Sequence, residues 1–571
     1  MRLNNRWIVL ILIVIIAATL RFYRLGKVPT SLNADEVANG YNAYSILKTG
    51  KDEYNRKFPL LFQTFDDYRL PLNIYFTVPA IFVFGLSDFA VRFPSAVFGT
   101  LTVLLTYLLV IELLSGGLGG TNHFDIRNPL IKQWIALTSS FLLAISPWHL
   151  QFSRSAHEGT IAIFFTVLGV TCLLRAPKNK WLYIIGFISM ALSVWSYHSS
   201  RVVTPLILIS YTILYYRDIL KDKFIFLSGM GLCFAICLPI IILSFSSTGL
   251  VRARGISALN DDTLLKRNTS WRQTDVDFNI PFSNVYHNHR FVNLSIMIKG
   301  YLDHYNPNFF FSELAQAKYR APGVGLMYIW ELPILLYGLY LNFRIKGRGN
   351  ILLLLWFLFA PIAASITHML PHPGRTMIFL PTLQIFTAIG LCGLCCYFYR
   401  IKHILGKLSI GISALVILIF CFHYLHQYYI HLPIDYAMDW QYGHEQVVEK
   451  VRLLQNKFDK VVISTTLDQP YIFFLYYLRY DPATYLRFGG TKSGKFDEER
   501  NTFDRYEFHS YMKSETVADP TTLYVGGPTE MLPGTTPLLE VLDPSGNIVY
   551  VLYGVITKLE WNKAGYLPYL E

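Results

Sequence analysis

The sequence predicts a mainly α, polytopic membrane protein: about eleven transmembrane helices, interfacial helices in the first external loop, and a small α/β soluble domain at the C-terminal end. Three observations carry that reading. Of 571 residues, 53% are hydrophobic and only 15% charged, which is too apolar for one soluble domain. The apolar residues gather in runs close to the ~20 needed to cross a bilayer. The Lys and Arg between those runs recur on alternate loops, as they do where cytoplasmic loops retain positive charge. The boundary falls where the last run ends, giving a membrane domain over residues 1–432 and an extracytoplasmic α/β domain over residues 433–571.

The net charge of +12 divides unevenly along the chain. From Pro433 onward there are 13 Lys and Arg against 19 Asp and Glu, a net of -6, which leaves +18 for the preceding 432 residues. The basic excess therefore lies among the crossings, where it sets orientation and meets anionic headgroups. Nucleic acid is not needed to explain it.

Taken in order, the runs are Trp7–Leu20, Val91–Leu114, Ile131–Leu150, Thr160–Leu174, Trp181–Tyr197, Val202–Tyr216 and Phe224–Phe245, followed by Gly325–Phe343, Ile351–Ile366, Thr376–Phe398 and Leu408–His431. The first resembles a signal peptide in following Arg2 and Arg6, but Arg21 and Arg24 come after it with no small-residue cleavage pattern, so it reads as a retained anchor. With the N-terminus inside, the cytoplasmic loops carry Arg127 and Lys132, then Arg175, Lys178 and Lys180, then Arg217, Lys221 and Lys223, then Arg344, Lys346 and Arg348, and lastly Arg400, Lys402 and Lys407. This places the tail outside, at the plasma membrane.

Leu70–Gly85 does not fit this alternation, because counting it as a crossing reverses every later loop, and Pro71 and Pro79 argue against a plain spanning helix. It reads as an interfacial or re-entrant helix within one long external loop, Ser31–Asp88. In the tail, helical spacing over Gly443–Phe458 and Gln469–Leu478 alternates with strands at Lys460–Ser464, Leu523–Val525 and Ile548–Leu552. All seven cysteines lie in apolar runs, so no disulfide framework is implied, and Cys392, Cys395 and Cys396 read as small packing residues.

The external segments carry the chemistry. Asp35 and Glu36 are adjacent carboxylates placed at the membrane surface by the run before them. Locally, Asn33 or Asp35 caps a helix over Val37–Leu47 and both acids suit its positive N-terminal end. Pro147–Gly159, Tyr197–Arg201 and Thr367–Arg375 each contain a His and an Arg, so ionisable groups accumulate on the external side.

The order of these features resembles the polyprenyl-phosphate-sugar-dependent glycosyltransferases of the GT-C fold, in the protein O-mannosyltransferase and aminoarabinose-transferase branch. The matching pieces are Ala34-Asp35-Glu36 after the first crossing, Tyr68-Arg69-Leu70-Pro71-Leu72, Phe84-Gly85 leading to Ala90-Val91-Arg92-Phe93-Pro94-Ser95-Ala96, Arg154 to Glu158, and a soluble C-terminal domain. Relatives in the mannosyltransferase branch often have His-Pro-Pro-Leu where this chain has Arg69-Leu70-Pro71-Leu72, and no β-trefoil module is inserted. The bacterial type fits better.

The resemblance implies inverting transfer of a sugar from a polyprenyl-phosphate donor to a protein, lipid or cell-envelope glycan at the outer face. It makes Asp35 the base, Glu36 its orienting neighbour, and Glu158 a second carboxylate for acceptor or sugar. Arg69, Arg92, Arg201, His372 and Arg375 are then the candidates for the donor phosphate, a guanidinium holding it bidentately and a protonated His adding charge. No cofactor is required, since several Arg neutralise a monophosphate leaving group, and divalent metal dependence is left open. Two other readings compete: an oligosaccharyltransferase or ligase taking a whole glycan from a pyrophosphate lipid, and a lipid or sugar transporter. A transporter calls for ionisable residues in mid-crossing and a repeat between halves. Glu112 and Glu331 instead lie toward the ends of their runs.

Overall fold

A computed structural model describes residues 5–65, 67–121, 124–246, 262–492, 501–513, 519–530, 533 and 535–554. The chain divides into two compact units, residues 1–23 with 93–429 and residues 24–92 with 430–571.

In the first unit, and in Asp88–Leu113 that leads into it, each expected run contains a helix: Asn5–Phe22, Asp88–Leu113, Pro129–Ile145 with Pro147–Ser153, Glu158–Arg175, Leu182–Ser196, Ser200–Ile219, Lys223–Ser244, Glu331–Arg344, Arg348–Phe359, Thr382–Ile401 and His403–His426. Among the described residues, length and apolarity qualify five stretches as crossings, and a sixth if the pair bent by 57° at Ser146 is one span. The expected eleven are not reached on this criterion, and the sequence shows why. Leu182–Ser196 and Arg348–Phe359 have only 15 and 12 residues, the second stopping just before Pro361, which cannot continue a helix. Ser200–Ser244, by contrast, is 45 residues, about 68 Å at 1.5 Å per residue against a hydrocarbon layer of about 30 Å. A non-helical Tyr215 and a 3-10 turn at Leu220–Asp222 break it in two.

These helices approach through small residues, as packing between apolar helices requires. A Cβ on Gly338 would lie 1.8 Å from the Phe386 carbonyl oxygen, and one on Gly390 2.1 Å from that of Ile334. Glu331–Arg344 and Thr382–Ile401 therefore touch backbone to backbone. The seven cysteines are free thiols.

In the second unit, helix Ala34–Thr49 ends at Gly50, whose φ of +70° a residue with a Cβ adopts only with strain. A hairpin pairs Phe62–Thr64 with Asp67–Arg69, setting Arg69 opposite Phe62. Leu72–Phe84 is a 13-residue helix with exposed Phe82, Val83 and Phe84; at about 20 Å it is too short to span. The tail supplies a five-stranded sheet in the order Tyr506–Phe508, Lys460–Ile463, Thr522–Gly526, Ile548–Tyr553, Leu539–Leu542, with the first three strands parallel and the rest antiparallel. Helices His444–Leu454 and Pro470–Tyr477 fall where their spacing predicts. Gly40 of the loop helix packs on Tyr476 so closely that an added Cβ would meet its ring at 2.8 Å.

Candidate active site

The predicted site residues divide between the units: Asp35, Glu36, Arg69 and Arg92 in the second, Glu158, Arg201, His372 and Arg375 in the first.

In the second unit the acid pair is split by function. Helix Ala34–Thr49 is capped by Asn33, whose Oδ1 accepts from the Glu36 N–H at 3.1 Å, while Glu36 Oε2 accepts from the Asn33 N–H at 3.2 Å. This reciprocal arrangement needs an acid or amide at the third helical position, and Glu36 fills it. Glu36 is buried and also accepts from Arg92, Nε at 3.0 Å and Nη2 at 3.1 Å. The Asp35 side chain is 56% exposed and forms an ion pair with Arg69, which also donates to the Asp35 carbonyl at 3.2 Å and lies within 3.5 Å of Asn39 Oδ1.

Arg92 is fully buried, and its five N–H groups are all engaged. Besides the two to Glu36, Nη1 donates to the carbonyls of Leu25 at 3.2 Å and Pro29 at 2.9 Å, and Nη2 to that of Ser31 at 2.6 Å. The Trp440 ring lies 5.7 Å from the guanidinium. The expectation that Arg92 offers a fork to phosphate is corrected by this geometry: the loop backbone and Glu36 have taken the donors. Trp440 and the next residue belong to a turn the sequence did not single out. The Trp440 carbonyl accepts from the Ser31 hydroxyl, and Gln441 Oε1 accepts from the Ala34 N–H at 2.6 Å.

A second buried acid in this unit was also missed. Glu53 has zero exposure and accepts from Asn42 Nδ2 at 2.8 Å, Thr491 Oγ1 at 2.7 Å and Tyr471 Oη at 3.4 Å. Burial pushes its carboxyl up to about 7, with the Thr491 and Asn42 hydrogen bonds pulling the other way, Asp52 adding to the rise and Tyr471 opposing it. No sequence signal marks it, since its neighbours are the polar residues of an ordinary turn.

In the first unit, Glu158 opens helix Glu158–Arg175, half-buried, next to His157, whose Nδ1 accepts the Gly159 N–H at 3.1 Å. The His157 ring packs edge-on to Phe152 at 4.7 Å. Gly374 keeps His157 and His372 close: a Cβ there would lie 3.1 Å from His157 Nε2 and 3.2 Å from His372 Cε1. His372 Nδ1 accepts from the Arg375 N–H at 3.3 Å, its backbone N–H donates to His304 Nε2 at 3.2 Å, and Arg375 Nη1 holds the His368 carbonyl at 2.6 Å. Burial, then the charges of Arg375, His157, Lys318 and His304, push His372 down to about 3. The expected standing imidazolium is therefore not present near neutral pH. With Nδ1 accepting, a neutral His372 carries its proton on Nε2 and remains a donor. Arg201 opens helix Ser200–Ile219 and donates to Ser244 Oγ at 3.1 Å.

Arg154, which the sequence reading noted without a role, is buried, donating to Tyr428 Oη at 3.0 Å and to the carbonyls of Leu20 and Arg21 at 2.7 and 3.0 Å. It is a structural tie. Among the described residues no group of three or more His, Cys, Asp and Glu side chains is arranged to hold a metal ion.

Residues 123–243 match the family model described as dolichyl-phosphate-mannose-protein mannosyltransferase, 121 of the 571 residues. No curated protein matches. Among solved structures, ArnT from Cupriavidus metallidurans, bound to undecaprenyl phosphate, aligns over 96% of this chain and 98% of its own at 13% identity, with a TM-score of 0.51. The oligosaccharyltransferase of Archaeoglobus fulgidus aligns at 15% identity and a TM-score of 0.47, over 83% of this chain, which spans 64% of that protein's length. The S. cerevisiae Pmt1-Pmt2 complex aligns over 45% of this chain and 36% of its own at 18% identity and a TM-score of 0.31. The chain thus shares the fold of ArnT over nearly its whole length and carries a mannosyltransferase family pattern in its central segment, in keeping with the GT-C resemblance read from the sequence.

Proposed function

We propose that this protein is an inverting membrane glycosyltransferase, moving a sugar from a polyprenyl-phosphate donor to an acceptor on the outer face of the plasma membrane, with Asp35 as the base. The observation that carries the reading is the division of labour in the acid pair. Asn33 and Glu36 close the helix start between them, while the Asp35 carboxylate is exposed and held by Arg69. An exposed, oriented carboxylate has the chemistry of a general base.

In the proposed step Asp35 takes the proton of the acceptor nucleophile as that nucleophile attacks the anomeric carbon. The bond from that carbon to the phosphate oxygen breaks on the opposite side, and the polyprenyl phosphate leaves with the electron pair. Arg69 keeps Asp35 aimed. Arg375, Lys318 and the Nε2–H of His372 supply donors for the phosphate in the first unit, where positive groups gather with neutral histidines. An arriving anion would favour protonation of His372, reversing the effect of its cationic neighbours. Glu158 is assigned to the acceptor or the sugar. ArnT was solved with undecaprenyl phosphate, and a polyprenyl monophosphate is the donor class carried over here. The monophosphate leaving group is met by cations, and the step as written requires no metal.

The test is Asp35→Asn, which keeps the size of the side chain but cannot take the proton. Undecaprenyl-phosphate sugars (mannosyl, glucosyl and aminoarabinosyl) serve as donors with membranes from cells lacking the protein as acceptor source. The variant should bind undecaprenyl phosphate normally and transfer at least about a hundredfold more slowly. Wild-type transfer would return Asp35 to a purely local role.

A further inference from the structure

One helix between the seventh and eighth apolar runs turns its apolar side outward. In His289–Asp303, Phe291, Leu294, Ile298 and Leu302 are each at least half exposed, and at 3.6 residues per turn the four fall within about 80° of one another. The opposite side holds Asn293 and Ile296, partly buried, and Gly300 and the C-terminal His304, buried. That side fastens the helix within the first unit: a Cβ on Gly300 would lie 2.6 Å from Leu370 Cδ1, Tyr301 Oη donates to the Leu358 carbonyl at 2.9 Å, Tyr305 Oη to that of Phe357 at 3.0 Å, and His304 Nε2 accepts the His372 N–H at 3.2 Å. The outward stripe continues into the preceding turn, where the Tyr286 ring lies 6.4 Å from that of Phe291 and where Phe278 and Phe282 are also exposed. His287 ties this turn to helix Asp262–Asp277, with Nδ1 2.8 Å from Asn268 Oδ1 and Nε2 2.8 Å from Asp275 Oδ2.

We propose that helix His289–Asp303 lies in the membrane surface, with the stripe from Phe291 to Leu302 among the acyl chains, and sets the depth of the His372–Arg375 segment. Lined-up large apolar side chains are what a water-facing surface avoids, and three observations make a bilayer their occupant. Among the described residues, five stretches are long and apolar enough to cross a membrane, so lipid borders this unit. The helix is fastened at the Phe357–Leu358 end of the apolar helix Arg348–Phe359, whose other end follows the basic Arg344 and Lys346; it stands where an apolar helix leaves the hydrocarbon. Arg290 and Lys299 are exposed at the two margins of the stripe, where their stems can lie along lipid while their charged heads meet phosphate. A helix of this kind sits about 5 to 10 Å into the headgroup boundary. Because its inner side holds the His372 backbone, the bilayer fixes the height of the His372–Arg375 segment at the level of a lipid-borne phosphate. That consequence rests on placing the donor phosphate at His372 and Arg375; the seating does not.

The test uses the full-length protein, its seven cysteines replaced by alanine, in vesicles of phosphatidylethanolamine and phosphatidylglycerol. Nitroxides attached at Leu294→Cys, Ile298→Cys and Lys299→Cys are relaxed either by oxygen, which concentrates in lipid, or by a nickel chelate confined to water. Oxygen should dominate at Leu294→Cys and Ile298→Cys, and nickel at Lys299→Cys. Nickel dominating at all three would overturn the seating, and exclusion of both relaxants at Leu294→Cys and Ile298→Cys would overturn it in favour of a second copy or another protein on the stripe. In the chain with its native cysteines, the double variant Leu294→Ser, Ile298→Ser should raise KM for the undecaprenyl-phosphate donors named above about tenfold at unchanged kcat, as lost donor binding does. An unchanged KM would overturn the depth-setting role. If the wild-type protein transfers sugar from none of those donors, the function proposed above fails, and the labels still decide the seating.

Discussion

Replacing Glu53 by Gln should stabilise the second unit at neutral and alkaline pH and leave it unchanged in mild acid. Glu53 is wholly buried with no cation among its hydrogen-bond partners, and burial raises its carboxyl from 4.5 to about 7. Between those values the unfolded chain releases the proton that the folded chain keeps, so stability falls as pH rises from about 4.5 and levels off above about 7. At about 1.4 kcal/mol per unit, the loss is of order 3 kcal/mol. Gln keeps the volume and an oxygen for Asn42 Nδ2, and the hydroxyls of Thr491 and Tyr471 can reverse to accept from its amide. Amide hydrogen exchange, corrected for intrinsic rates, reads the local stability of Asn42–Glu53 and Pro470–Tyr477 in the full-length protein. Wild type should lose protection between pH 5 and 8, and Glu53→Gln should hold it. Equal pH slopes in the two proteins, or a Gln variant weaker than wild type at pH 8, would refute the argument that the buried carboxyl is held neutral.

Two other substitutions separate structural arginines from phosphate-binding ones. Arg92→Ala strands the buried Glu36 carboxylate and three carbonyls, so it should cost about 3 to 5 kcal/mol of stability, seen as reduced folded yield and lower melting temperature. The folded fraction should still bind undecaprenyl phosphate normally. Arg375→Ala should leave the fold intact and lower kcat/KM for the donor by about 2 to 4 kcal/mol of transition-state stabilisation, with Arg375→Lys recovering only part for want of the planar fork. Donor kinetics unaffected by Arg375→Ala would move the phosphate to other cations.

Much of the architecture is local information. Apolar runs, the basic loops between them, and the strand and helix periods of the tail are properties of short segments, and helices or strands form where each was expected. That Leu72–Phe84 is no plain spanning helix was readable from its prolines and from the charge alternation it would disturb. Asp35 and Glu36 could also be singled out, because two carboxylates after an apolar run are conspicuous in the sequence itself.

Which of the two acids is structural was decided by partners distant in the chain. Arg92 reaches Glu36 across 56 positions and Gln441 reaches Ala34 across 407; no periodicity or propensity encodes such a meeting. The same holds for Glu53, whose raised pKa depends on Thr491 and Tyr471 closing over it, and for His372, neutral because burial and cations from separate loops surround it. Sequence fixes the type of each ionisable group and its secondary-structure setting. Its charge state and role depend on desolvation and on the donors that face it, and those exist only once the chain has folded.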